Sequence, residues 1–381
     1  MYKATELKNG NQLIDTHKME WHIERVKQWQ KNPLKVYPIY MEISPIRKCN
    51  HRCVFCGLDF LNYENIFLNP QVLIKCLEEM AEKKVLSVMY AGEGEPLLHK
   101  DIAKIINATK QFGIDVSLTT NAVPLTKKIV DECLSSITWI KASIDGGTKK
   151  THAKIHRCPE SHFDMAIKNL AYAVQIRNQS NLTCSIGAQL LLGENNSHEV
   201  KILAQILRDI GADYFVVKPY SQHLASINKE QDFLGELDYE ECMNMACELS
   251  SMETADFTIS FRANTMQNCI DKNRSYDKCL ATPYFWAYID SEGGVWTCSA
   301  YLGTDKKFLI GNINQQAFSQ IWEGEKRQKN IEFVKNELWI KNCRLNCRMN
   351  AVNEWLYKIQ TGEIDINDIS PDKAPYNVNF I

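Results

Sequence analysis

Apolar and polar positions in residues 37–225 alternate between two periods. Short, apolar, β-prone runs at 37–43, 85–91, 114–119, 138–144, 182–191 and 214–217 read as strands. Between them the 3.6-residue period of an amphipathic helix recurs over 70–83, 101–112, 126–135, 163–177 and 197–210. Most junctions carry Gly, Pro, Asn or Asp, the residues that stop one element and start the next. Strand–helix alternation predicts parallel strands joined by right-handed crossovers. Six strands are two short of a closed eight-fold barrel. The expected fold class is therefore α/β: an open, partial (β/α)6 TIM-like barrel whose chemistry gathers at the C-terminal ends of its strands.

Outside that rhythm the pattern changes. Residues 1–36 read as a helical N-terminal extension, with Trp21, Ile23, Val26 and Trp29 at helical spacing. Residues 226–265 read as a linker with one helix near 239–252. Residues 266–356 read as a small C-terminal α+β unit with a hairpin signal at Glu292-Gly293-Gly294. The polar, proline-containing stretch 357–381 reads as a tail over the surface.

Composition adds exclusions. The chain has 381 residues, 44 basic and 46 acidic, for a formal net charge of −2. Such balance gives no reason to expect nucleic acid or an anionic membrane as partner. No stretch approaches the length of a membrane helix, and residues 1–12 lack the apolar core of a signal peptide, so a cytoplasmic location is expected. Fourteen cysteines then call for an explanation other than disulfides, since cytosolic thiols stay reduced. Cys76, Cys133, Cys184, Cys242 and Cys247 lie in apolar contexts and read as small core residues.

The clustered cysteines carry chemistry. Cys49, Cys53 and Cys56 follow the first strand at intervals of three and two intervening residues, with no fourth cysteine in the loop. Two readings fit: a zinc site completed by a residue such as His51, or a cubane cluster with one iron left open to bind a ligand. After the second strand comes Gly92-Glu93-Gly94-Glu95-Pro96, where glycines let backbone approach a ligand and Glu95 offers an acceptor to a cationic amine.

Together these segments resemble the radical S-adenosylmethionine (SAM) superfamily over roughly residues 37–220. The Cys-x3-Cys-x2-Cys motif is present with an aromatic residue, Phe55, before its last cysteine. The family's Gly-Gly-Glu-Pro motif appears with Glu93 separating the glycine pair. The resemblance implies a [4Fe–4S] cluster that binds SAM and, on one-electron reduction by a flavodoxin- or ferredoxin-type donor, yields a 5′-deoxyadenosyl radical that abstracts hydrogen. It also implies SAM contacts from Gly92, Glu93, Gly94, Glu95, Pro96, Thr120, Asn121, Ser143, Asp145 and Gln189. Taken alone, each strand-end residue could equally be a cap or turn residue, as in Asp145-Gly146-Gly147.

Cys279, Cys298, Cys343 and Cys347, with Gly293 five positions before Cys298, resemble a SPASM domain in its shortened, twitch form. That implies one auxiliary [4Fe–4S] cluster; four cysteines could otherwise hold zinc. The same long–long–short spacing resembles the twitch-domain dehydrogenases of aminocyclitol antibiotic synthesis. It implies oxidation of a secondary alcohol on a small sugar, aminosugar or sugar nucleotide, with the auxiliary cluster taking an electron. Lys218, Tyr220, Gln222, His223 and Arg262 are the candidate bases, with His156 and Arg157 further ones. The alternatives are a redox-neutral epimerase, dehydratase or deoxygenase, a peptide-modifying SPASM enzyme, and a non-catalytic zinc or iron–sulfur protein.

Overall fold

The computed structural model describes residues 16–220, 223, 225–228, 239–271, 274–344 and 347–381. Gln222 and residues 229–238 of the linker lie outside them. The six expected strands form: β1 (Tyr40–Ile43), β2 (Ser87–Tyr90), β3 (Asp115–Thr120), β4 (Trp139–Ser143), β5 (Ser185–Leu192) and β6 (Tyr214–Pro219). Each pairs in parallel with the next.

The intervening helices form for local reasons visible in the chain. In Pro70–Glu82, the Asn69 side chain accepts from the Gln71 and Val72 N–H groups while Pro70 opens the first turn. Leu73, Cys76, Leu77 and Met80 then fall on one buried stripe against the sheet.

Three elements were not anticipated. A seventh strand, β7 (Thr258–Phe261), pairs in parallel with β6 inside the segment read as linker. Its four residues carry no alternation beyond Ile259 and Phe261, too short a run for the period to register. A helix at Lys149–His156, capped by the Thr148 side chain, follows β4. Five of its eight residues are Lys or His, which masks any apolar stripe. The third is a pairing. The C-terminal unit forms β8 (Trp286–Ile289), β9 (Gly294–Trp296) and β10 (Leu309–Asn312), and β8 runs parallel to β1 along its whole length. One sheet results, in the order β10-β9-β8-β1-β2-β3-β4-β5-β6-β7.

The predicted hairpin joins β8 to β9. Asp290 organises it: one carboxylate oxygen accepts from Glu292 N and Gly294 N, the other from Trp296 Nε1 at 2.6 Å. Arg327, fully buried, donates to the carbonyls of Leu34, Val36, Pro283 and Trp322. It thereby ties the end of the N-terminal extension to the C-terminal unit.

Two sequence expectations change. Cys247 is exposed, unlike Cys76, Cys133, Cys184 and Cys242, because it sits on the outer side of the helix Tyr239–Ser250. The tail does not simply cross the surface. Phe380 packs edge-on against Tyr40 and Trp139 at the N-terminal end of the strands, and Lys18 Nζ donates to its carbonyl at 2.7 Å. An apolar ring near the end of a polar segment is what draws it inward.

Candidate active site

The loop after β1 places Cys49, Cys53 and Cys56 at the C-terminal end of the barrel. The unanticipated helix holds this loop: Arg52 N and Val54 N donate to the carbonyls of His156 and Ile155. Beneath it lies the turn after β2. Glu95 N donates to Lys48 O at 3.0 Å, and a Cβ at Gly94 would sit 2.2 Å from that same carbonyl. Gly92 has φ +122°, and a Cβ there would strike Tyr288 and Ser44. Gly94 is therefore required for the turn to dock backbone to backbone on the approach to the cysteine loop, and Gly92 for its left-handed backbone beside the Ser44 and Tyr288 side chains.

The two glutamates of that turn are braces. Glu95 is buried, and its carboxylate accepts from Thr120 Oγ1 and Asn121 N, both at 2.7 Å, and from Leu97 N. Burial raises its pKa to about 7 despite those bonds. Glu93, where the family motif has glycine, accepts from Arg47 Nη2 at 3.3 Å and from Ser291 N at 2.8 Å. Its side chain is committed to the β8–β9 hairpin, not to a ligand over the loop. Asn121 Nδ2 donates to Asn50 Oδ1 at 2.7 Å, bridging β3 to the cysteine loop.

Asp145 is buried; one carboxylate oxygen accepts from Leu191 N and the other lies 2.9 Å from His156 Nε2. The opposite ring nitrogen, His156 Nδ1, is 3.1 Å from Cys53 Sγ. Asp145 thus approaches the cysteine loop through His156, which is buried behind the loop. His51, the residue weighed as a zinc ligand, places Nε2 3.0 Å from His162 Nδ1. Ser143 and Gln189 stand in register across β4 and β5.

Cys279, Cys298, Cys343 and Cys347 converge on a cavity of about 130 Å³. The pKa values of Cys49, Cys53 and Cys56 in the triplet and of Cys298, Cys343 and Cys347 in the quartet are raised. Burial pushes Cys49 up to about 12 and Cys347 up to about 11, and neighbouring thiols add to the effect at Cys53 and Cys298. Crowded, buried thiols resist ionisation unless a cationic centre takes them as thiolates. The donor chemistry fits an iron–sulfur cluster at each place: three thiols where one position stays open, and four where none does.

The candidate bases separate. Tyr220 packs on Phe55 beside the loop, and Arg157 bonds to Asn228. His223 stacks on Phe60 and lines the four-cysteine cavity. Lys218 and Arg262 line that cavity and also a second one of about 340 Å³ in the barrel lumen, with Gln189. Burial, then Lys141, Arg262 and Arg344, hold the Lys218 pKa well below its ordinary value. Sequence reading missed Lys141 and Arg348. Lys141 alternates with Trp139 and Ser143 on β4 and so points inward with them; that alternation was the available signal. Arg348, ion-paired to Glu42, had none.

A partial barrel with an open cysteine triplet at its mouth and a closed cysteine quartet beside it is the layout of an iron–sulfur enzyme. Residues 43–206 match the radical SAM superfamily, and residues 279–348 match SPASM, an iron-sulfur cluster-binding domain. The chain is a radical SAM enzyme with a SPASM domain, and these domains take SAM and [4Fe–4S] clusters.

It is similar to an S-adenosylmethionine-dependent nucleotide dehydratase of Lacinutrix mariniflava, with 32% identity over 29% of this chain and 24% of that protein. It is also similar to an AdoMet-dependent heme synthase of Methanosarcina barkeri, with 23% identity over 80% of this chain and 89% of the relative. The chain spans about a quarter to a third of the first curated relatives it matches. Streptococcus suis SuiB bound to S-adenosylmethionine shares the fold, with a TM-score of 0.62 and 20% identity over 81% of this chain and 71% of SuiB. Among the described residues, no helix is long and apolar enough to cross a membrane.

Proposed function

We propose that this chain dehydrogenates a small polyol (a sugar, aminosugar or sugar nucleotide), converting a secondary alcohol to a ketone. Cys49, Cys53 and Cys56 would hold the SAM-binding cluster, and Cys279, Cys298, Cys343 and Cys347 the auxiliary one. With SAM, the first cluster supplies hydrogen-atom abstraction from an unactivated carbon.

The chain's own residues position the rest. Gly94 brings the strand-end backbone against the cysteine loop, and Glu95 fixes Thr120 and Asn121 beneath it. Forming a ketone removes a hydrogen atom, a proton and an electron from the alcohol. Lys218, held toward its neutral amine by burial and three neighbouring cations, is the proton acceptor at Nζ. The carrying observation is that Lys218 and Arg262 line both the lumen and the four-cysteine cavity. A substrate in the lumen therefore lies beside a site whose four thiols leave no position for a ligand, suited to accepting the surplus electron.

The named nucleotide dehydratase relative favours a competing, redox-neutral outcome. Product mass separates the two. Anaerobically reconstituted enzyme, reduced with dithionite or flavodoxin, is screened against sugars, aminosugars and sugar nucleotides. A product lighter by two hydrogens, with one SAM consumed per turnover, supports dehydrogenation. Loss of water or unchanged mass overturns it.

A further inference from the structure

The lumen cavity is unusual in its charge. Lys18, Lys141, Lys218, Arg262 and Arg348 all line it. They come from unrelated parts of the chain: Lys18 from the N-terminal extension, Lys141 from β4, Lys218 from β6, Arg262 from just after β7 and Arg348 from the SPASM domain. Five separate segments deliver basic side chains to one space.

Two compensations are already present. Glu42 on β1 pairs with Arg348. Cluster thiolates in the four-cysteine cavity would offset the cations that also line that cavity, namely Arg262 and Arg348, beside the amine of Lys218. Lys18 and Lys141 line only the lumen. Among the described residues, no carboxylate forms an ion pair with Lys18, Lys141 or Lys218. Lys18 is 5% exposed and has only the Phe380 carbonyl as partner; Lys141 has the face of Trp139. Burial followed by the nearby Arg262 charge holds both lysines near a pKa of about 8. Clustered buried charge of one sign costs stability unless an anion meets it. The cavity volume is that of a small-molecule site.

We propose that the lumen binds an anionic group of the substrate, a phosphate or a carboxylate, on Lys141 and Lys18 with Arg262. The substrate is thus an acidic sugar or polyol derivative, oriented with its charge toward the N-terminal ends of the strands and its reacting carbon toward the cysteine loop. This rests on the reading of the lumen as the substrate site.

The test uses holoenzyme with both clusters reconstituted and SAM saturating, so that the SAM carboxylate is already placed. Pyrophosphate and citrate are titrated calorimetrically. One saturable site is expected for at least one of them, the tighter probe identifying phosphate or carboxylate. Affinity falls at least about tenfold in Lys141→Gln and in Lys18→Gln and is kept in Lys141→Arg; unchanged iron content verifies that each variant folds. The proposal is overturned if neither anion binds, or if both glutamine variants bind as the parent does. SAM cleavage is followed in parallel. Cleavage without anion binding rejects this inference alone, whereas anion binding without any SAM cleavage rejects the radical reading.

Discussion

Glu93 Oε2 accepts a hydrogen bond from Ser291 N at 2.8 Å, although 198 residues separate the two. A side chain in the turn after β2 thus anchors the tip of the β8–β9 hairpin, with Arg47 bridging Glu93 to Glu292. Removing a buried, charged acceptor leaves its donors unmet. Glu93→Ala is expected to destabilise the protein by about 1–3 kcal/mol. The measurement is urea unfolding of the cluster-loaded protein; an unchanged midpoint would show that Arg47 and the hairpin need no Glu93.

The two cysteine groups predict a separable loss. Alanine at Cys49, Cys53 and Cys56 together should drop iron from about eight to about four per chain and abolish SAM cleavage. Alanine at Cys298 and Cys343 should lower iron by the same amount while leaving SAM cleavage measurable and product formation lost. Bound zinc in place of iron would reject both assignments.

Hydrogen bonds to cluster sulfurs set reduction potential. His156 Nδ1 lies 3.1 Å from Cys53 Sγ, and its Nε2 lies 2.9 Å from the Asp145 carboxylate. His156→Phe should shift the potential of the SAM-binding cluster to a more negative value, and Asp145→Asn should move it by less in the same direction. EPR-monitored redox titration reads the shift; equal potentials in parent and variants would make His156 a packing residue only.

Glu95 predicts a pH effect. Its folded pKa of about 7 lies above the ordinary 4.5 because the carboxylate is buried. Between those values the unfolded chain is ionised while the folded one holds a proton, so stability falls as pH rises from about 4.5 to about 7. Below that window both states are protonated and the penalty vanishes; above it the loss is complete, on the order of 3 kcal/mol. Glu95→Gln should flatten this part of the stability–pH profile, measured by denaturant titration at each pH. A parallel profile in the variant would count against the buried carboxylate as its source.

What the chain disclosed in advance follows from how each feature is encoded. The strands β1 to β6 and the cysteine triplet were legible because hydrophobic period and residue spacing are local. The pairing of β8 with β1 was not, since parallel neighbours far apart in sequence leave no turn between them to read. Glu93, Glu95 and Asp145 were singled out as ligand contacts through the motif resemblance. The protein groups beside them, Ser291, Asn121 and His156, are fixed only once loops have packed, so spacing gave no sign of them. Lys141 shows the converse: its inward position was implied by alternation on β4, but charge on an inward face has meaning only when Lys18 and Arg262 arrive from elsewhere.

The ladder between β1 and β8 has one more consequence. Cys49 follows β1 by a few residues and Cys298 follows β9, the strand beyond β8, so one cysteine of each group hangs from the same hydrogen-bonded sheet. Sliding one group away from the other would mean shearing a continuous sheet. If the auxiliary cluster takes the surplus electron as proposed, donor and acceptor would be carried by one sheet, and the potentials at the two ends would be the natural place to tune the transfer.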